Sequence, residues 1–329
     1  MKPSFLAFVA LAVSWYAEAA TYSRTESLFG QSFLDAFSWQ AIPDPTHGRV
    51  DYVDKSTAEN DGLYSVSGNT LTLRADNGTV LSPSGSGRKS FRLMSNETYT
   101  THVAIFDISH MPEGCGTWPA VWFVFILYID CTNTVHEVGQ NWPNEGEIDI
   151  VEGVNNKVPN QSTLHMSANC AMPSSRWMTG TSLLNDCDVS TTGNQGCGVH
   201  LSANDNSFGP NFNRNGGGWY AVERTPTHVA VYFWERDCSA VPSEVKDPGN
   251  SVDPCTWGTP VAFFPSENCD FATHFGPLNI IINLSFCGDW AGSVYSSSGC
   301  PSNCVDYVNN NPAAFANAFF EFNSLNIYQ

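Results

Sequence analysis

Apolar residues along this chain gather in short runs or alternate with polar ones, and Gly, Pro, Asn and Ser separate the runs. That pattern predicts strands over Thr70 to Arg74, Phe91 to Leu93, Thr101 to Ile108, Gly146 to Val154, Trp219 to Glu223, Val229 to Trp234, Leu278 to Phe286 and Phe319 to Tyr328. No window of about eleven or more residues carries a convincing helical period. Many short strands with turn signals between them read as a sandwich or barrel, so the expected class is all-β. There is no repeat, low-complexity tract or linker, and residues 21–329 are expected to fold as a single domain.

One predicted strand is unlike the others. Its stretch Glu145-Gly146-Glu147-Ile148-Asp149-Ile150-Val151-Glu152 sets carboxylates into an apolar run. Alternate side chains of a strand share a face, so Glu147 and Asp149 point the same way. Glu152 lies an odd number of positions from Glu147 and would face the other side of a regular strand. A β-bulge around Ile150-Val151 takes up one residue and returns it to the shared face. Ile148, and either Ile150 or Val151, then turn into the core. Like charges along one face repel, and the pKa splitting they cause suits acid–base chemistry rather than stability. A solvated strand face is the competing reading, and the apolar neighbours argue against it.

Composition narrows the setting. Lys2, the apolar run from Phe5 to Val13 and Ala17-Glu18-Ala19-Ala20 form a secretory signal over residues 1–20, so the protein is expected to be extracellular. No later stretch reaches the roughly 18 apolar residues of a membrane helix. Eleven cysteines fit an oxidising compartment, and their scatter favours disulfides over a zinc site. Cys187 and Cys197 bracket a Gly/Asn/Thr-rich loop and are expected to pair, and Cys238 and Cys255 are expected to close another loop. Glycosylation sequons stand at Asn77, Asn96, Asn160 and Asn283, the last inside an apolar run that would bury it. The net charge is −18, from 32 acidic and 14 basic residues, which disfavours nucleic acid and anionic membrane as partners. Aromatic residues make up 13% of the chain, with ten tryptophans, and a neutral polymer such as a glycan suits that surface.

The run Phe123-Val124-Phe125-Ile126-Leu127-Tyr128-Ile129 and the residues after it, to Glu137, break the pattern. Three readings stand open for the insertion at about 124–137: an aromatic lid over a cleft, a buried strand, and a retained intron translated in frame. Cys131 is the odd cysteine, and removing Val124 to Glu137 joins Trp118-Pro119-Ala120-Val121-Trp122-Phe123 to Val138-Gly139-Gln140-Asn141-Trp142-Pro143, a compact strand–turn sequence.

The stretch Glu147-Ile148-Asp149-Ile150-Val151-Glu152 resembles the bulged E-x-D-x-x-E signature of family 16 glycoside hydrolases. Asp44-Pro45-Thr46-His47-Gly48-Arg49-Val50, Gly114-Cys115-Gly116-Thr117-Trp118-Pro119-Ala120, Ser167-Ala168-Asn169-Cys170-Ala171-Met172, Gly216-Gly217-Gly218-Trp219-Tyr220 and Cys287-Gly288-Asp289-Trp290-Ala291-Gly292 are similar to secreted fungal laminarinases of that family. The resemblance implies a β-jelly-roll sandwich of two curved antiparallel sheets with a concave substrate cleft. It also implies Glu147 as nucleophile and Glu152 as general acid/base, with Asp149 between them. The sequence departs from the family where nineteen residues separate Trp122 from Trp142, which puts the placement of both rings in question.

The expected activity is that of a retaining endo-β-glucanase acting on β-1,3-glucan, with mixed-linkage β-1,3-1,4-glucan as a further substrate. Its double displacement needs carboxyls about 5–5.5 Å apart. The backbone positions of Glu147 and Glu152 are on the order of 13 Å apart along a flat strand, so their side chains must converge. Asp149 is expected to hydrogen-bond Glu147 and to keep Glu152 protonated. Trp122, Trp142 and Trp290 are the sugar-stacking candidates, and Trp118 is assigned to the core. His165 reaches the cleft by alternation in Ser162-Thr163-Leu164-His165-Met166, with a structural histidine as its rival. Arg92 resembles a family position that binds sugar hydroxyls, with a surface arginine as its rival. No cofactor or metal is called for, and a monomer is expected. Two rival functions are a transglycosylase of the same fold and a non-catalytic, glucan-binding lectin-like sandwich.

Overall fold

The computed structural model describes residues 21–126 and 141–329. Residues 1–20, expected to be a secretory signal, and positions 127–137 of the expected insertion lie outside the described residues. Two large antiparallel sheets stack on each other. The cleft sheet has eight strands, in the spatial order Thr181–Ser182, Val199–His200, Gln161–His165, Glu147–Glu152, Thr117–Val124, Asn279–Phe286, Arg92–Ser95 and Phe37–Trp39. The second sheet has nine, and centres on His102–His110 between Phe319–Tyr328 and Gly218–Arg224. All eight sequence-predicted strands are present, with ends shifted by no more than two residues. No helix among the described residues exceeds the seven of Cys304–Asn310, and none is long and apolar enough to cross a membrane.

Alternation explains the layering. On Thr117–Val124, Val121 and Phe123 are fully buried between the sheets. Trp118, Ala120, Trp122 and Val124 take the other face and line the cleft. Its neighbour Asn279–Phe286 follows suit: Ile280, Ile282, Leu284 and Phe286 enter the core, whereas Asn283 and Ser285 reach the cleft. Each fully buried Ile, Leu or Phe stabilises the sandwich by about 1.5–3 kcal/mol. The polar cleft positions are therefore carried by a sheet whose other face is anchored.

Val124 ends its strand, paired with both Glu147 and Asn279, and Ile126 packs with it on Met94 and Ile281. Neither Trp122 nor Trp142 is displaced by the insertion, since both line the cleft.

Among the described residues, four disulfides join Cys115–Cys300, Cys170–Cys269, Cys187–Cys197 and Cys287–Cys304. The expected Cys187–Cys197 link is among them, and the expected Cys238–Cys255 link is not. Two sequons are also closed to glycans. Asn160 has no exposed surface, and Asn283 is buried with its amide donating to Tyr52 Oη at 3.0 Å. Asn77 and Asn96 are exposed.

Candidate active site

The bulge forms where the alternation required it. Asp149 pairs with Trp122 and Val151 with Val121, so Ile150 and Val151 together face one residue of the neighbouring strand. Both enter the core alongside Ile148, where the sequence reading placed only one of the two. A bulge frees backbone groups that a buried site must satisfy. Asn160 meets that need: its Nδ2 donates to Ile150 O at 2.8 Å and its Oδ1 accepts from Glu152 N at 2.9 Å. Ser162 Oγ adds a second bond to Ile150 O at 2.9 Å. Gly146 opens the strand at φ +74, against Phe275, whose ring would lie 2.5 Å from any added Cβ.

Glu147, Asp149 and Glu152 all line one cleft of about 670 Å³, together with Arg92, Trp122, Trp142, His165 and Trp290. Every sequence-predicted site residue thus meets in one place. The lining runs from Asp44 and Arg92 near one edge of the sheet to Leu183 and Leu184 beyond the strand at the other edge. A cleft that crosses nearly the whole sheet can seat a chain without needing its end.

Indole donors fix the two glutamates. Trp142 Nε1 donates to Glu147 Oε2 at 2.8 Å, and Trp118 Nε1 donates to Glu152 Oε1 at 2.9 Å. Trp118 is therefore a cleft residue, not the core residue assigned from sequence. Its signal was its even spacing from Trp122 on one strand. Trp290 packs edge-on against it, with centroids 5.8 Å apart. Trp122 Nε1 donates to Asn283 Oδ1 at 2.7 Å, which sets the plane of that ring.

Asp149 departs from expectation, because no hydrogen bond joins it to Glu147. Successive residues on one strand face lie about 7 Å apart, and a long side chain on the next strand reaches a diagonal neighbour over a similar span. His165 lies opposite Glu147 on the next strand, and its Nε2 stands 3.3 Å from Asp149 Oδ2. That approach does not make a hydrogen bond, so Asp149 Oδ2 lacks a partner, and His165 Nδ1, on the other side of the ring, lacks one too. Glu147, Asp149 and His165 bring one donor atom each within 4.8 Å of one another, a spacing that would also admit a divalent cation.

Burial first, then the charge of Asp149, pushes the Glu152 carboxyl up to about 8. The same two causes raise Glu147, against which its bond from Trp142 works. Burial raises Asp149. Three acids so placed do not ionise together near neutrality, so a proton is retained among them. Arg92 is buried as well, its Nε donating to Gln40 Oε1 at 2.9 Å and its guanidinium 5.0 Å from the Trp122 ring. Its Nη2 has no partner. Composition gave no hint of Gln40 or Asn283 as partners of Arg92 and Trp122, because those roles rest on cross-strand neighbours.

An antiparallel sheet that sets paired carboxylates in a tryptophan-lined cleft fits the two-carboxylate chemistry of glycoside hydrolases. The chain belongs to glycoside hydrolase family 16: residues 37–328 match the model of the XgeA-like catalytic domain of that family. It is 54% identical to laminarinase 16A of Phanerochaete chrysosporium, a structure described with two β-glucans in its donor and acceptor sites. That match has a TM-score of 0.89 and covers 94% of this chain and all of the other. An elongating family 16 β-1,3-glucosyltransferase is 38% identical, with a TM-score of 0.83 and the same coverage. A probable endo-1,3(4)-β-glucanase of Aspergillus fumigatus is 40% identical over 322 residues, or 95% of this chain. This chain spans only 46% of that protein's length.

Proposed function

We propose that this chain is a secreted endo-β-1,3-glucanase that acts with retention of configuration and also accepts mixed-linkage β-1,3-1,4-glucan. The observation that carries the reading is the acid strand, bulged so that Glu147 and Glu152 share a cleft that crosses the sheet, each held by an indole N–H. Glu147 attacks the anomeric carbon while Glu152 gives its proton to the departing glycosidic oxygen, and that C–O bond breaks. Glu152 then takes a proton from water as the water oxygen attacks the same carbon and releases Glu147. The charge of Asp149 favours the protonated form of Glu152 in the first step. The Trp142 N–H favours ionised Glu147. Trp122 and Trp290 offer ring faces to pyranose C–H groups, and Arg92 and His165 offer donors to hydroxyls.

Reducing-sugar release from a soluble β-1,3-glucan, followed by sizing of the products, tests the reading. Early fragments of intermediate length are expected, and release of only glucose or no release would overturn it. Transglycosylation is the second reading, favoured by the likeness to the elongating glucosyltransferase. Excess oligosaccharide acceptor that yields longer products would establish it. A lectin-like binder would show the same behaviour with Glu147→Ser as without it.

A further inference from the structure

Among the described residues, Trp177 is the only exposed tryptophan, with 62% of its surface accessible. Leu183 and Leu184 are also exposed, at 45% and 38%. Three of the seven exposed large apolar residues thus fall within residues 177–184. Single exposed apolar residues are ordinary, but here Leu183 and Leu184 line the cleft and Arg176, the neighbour of Trp177, bonds Ser182 beside them.

The segment is held firmly. The guanidinium of Arg176 donates to Phe263 O at 3.1 Å and to Ser182 Oγ at 2.6 Å, and sits 5.3 Å from the Phe264 ring. It also reaches Asn185 Oδ1 at 3.4 Å. Its partners Ser182 and Asn185 are the residues on either side of Leu183-Leu184. Leu183 N donates to Gly198 O at 2.9 Å, and Met178 next to Trp177 packs on the core. Leu183, Leu184 and Gly198 all line the cleft.

We propose that Trp177, with Leu183 and Leu184, is a platform on which a long β-glucan chain rests after it passes the edge strand Thr181–Ser182. The proposal rests on the glucan reading of the cleft. A rigid indole face matches the C–H face of a pyranose, and fixing it beforehand lowers the ordering cost of binding. Two strands, Gln161–His165 and Val199–His200, separate the acid strand from Thr181–Ser182, so Trp177 beyond that edge is expected to meet long chains rather than a short oligosaccharide seated over Glu147 and Glu152.

Binding and cleavage together provide the test. In an inactive Glu147→Gln background, adding Trp177→Ala is expected to weaken binding to a long soluble β-1,3-glucan by about two- to tenfold, read by affinity electrophoresis. Calorimetry with a laminari-tetrasaccharide is expected to show no change, and Trp177→Phe to restore most of the polymer affinity. Polymer affinity that is unchanged by Trp177→Ala, or tetrasaccharide affinity that falls equally, would overturn the platform. If the chain with Glu147 intact binds the polymer through Trp177 but never cleaves it, the hydrolytic reading fails and the platform stands. No polymer binding by any form overturns both.

Discussion

The floor and the walls of the cleft are built by different means. The floor is strand: Glu147, Asp149, Glu152, Trp118 and Trp122 project from two paired strands whose opposite faces are buried among Val121, Phe123, Ile148 and Val151. The walls are loops, and covalent links hold them. Cys187–Cys197 closes the loop that contributes Gly193 to Gly196, and Cys287–Cys304 ties the turn that carries Trp290 to the helix Cys304–Asn310. Packing in the core fixes a strand side chain to within the tolerance that bond-breaking needs. A loop has little core to lean on, and a disulfide supplies order there by restricting the unfolded chain. On the proposed reading, chemistry belongs to the floor, and the walls add Trp290 to the grip that Trp122, Arg92 and His165 offer from the strands.

The sharpest break of that contrast is at the floor. Glu152→Gln is expected to lower kcat on β-1,3-glucan by about 10²–10⁴-fold, with KM little changed. Glu147→Gln is expected to leave still less activity, because it removes the bond-forming group. Initial rates on the polymer check both, and a change confined to KM would contradict the assignment.

Asn160→Ala comes next, because it strips partners from the Ile150 carbonyl and the Glu152 N–H at the bulge. Ile150 O keeps its bond from Ser162 Oγ, but the Glu152 N–H loses the Asn160 acceptor, and a buried group left unsatisfied costs about 1–3 kcal/mol, so Tm and kcat are both expected to fall. At the wall, Cys187→Ala with Cys197→Ala is expected to cost about 2–4 kcal/mol of stability and to raise KM more than it lowers kcat. An equal loss in kcat would mean that floor and wall are not separable.

A smaller effect concerns pH. The folded-state pKa of Glu152 lies above its unfolded value because of burial and Asp149, so the folded state holds a proton that the unfolded chain gives up. This contribution is most favourable below the unfolded carboxylate range and is lost as pH climbs towards about 8. Glu152→Gln removes the loss, so it is expected to raise Tm at pH 8 relative to the unmodified chain and to change it little near pH 4. Calorimetric Tm at the two pH values checks the sign. Activity is expected to decline on the alkaline side through the same range, as Glu152 loses its proton.

The smallest effect is expected from the insertion. Deleting Val124 to Glu137 brings Val138 into the place of Val124, so the strand keeps a valine opposite Glu147 and Asn279. Reducing-sugar assays on the chain from Thr21 with and without the segment are expected to show activity in the shortened form. Activity in that form alone would support the retained intron, and loss of activity on deletion would give the segment a part in the fold.

The sequence by itself determined the strands, the bulge and the identity of the acids. Those features follow from local rules: a two-residue alternation, an odd spacing between Glu147 and Glu152, and apolar neighbours that must be buried. Tertiary structure decided which partners the acids have. Asp149 faces His165 instead of bonding Glu147, Trp118 holds Glu152, and Asn160 closes the bulge instead of carrying a glycan. None of these pairings follows from the acid strand's own sequence, because each depends on the register between strands and on which face an adjoining segment presents. Register is set by the sum of core contacts across both sheets, and that sum exists only once the chain has folded.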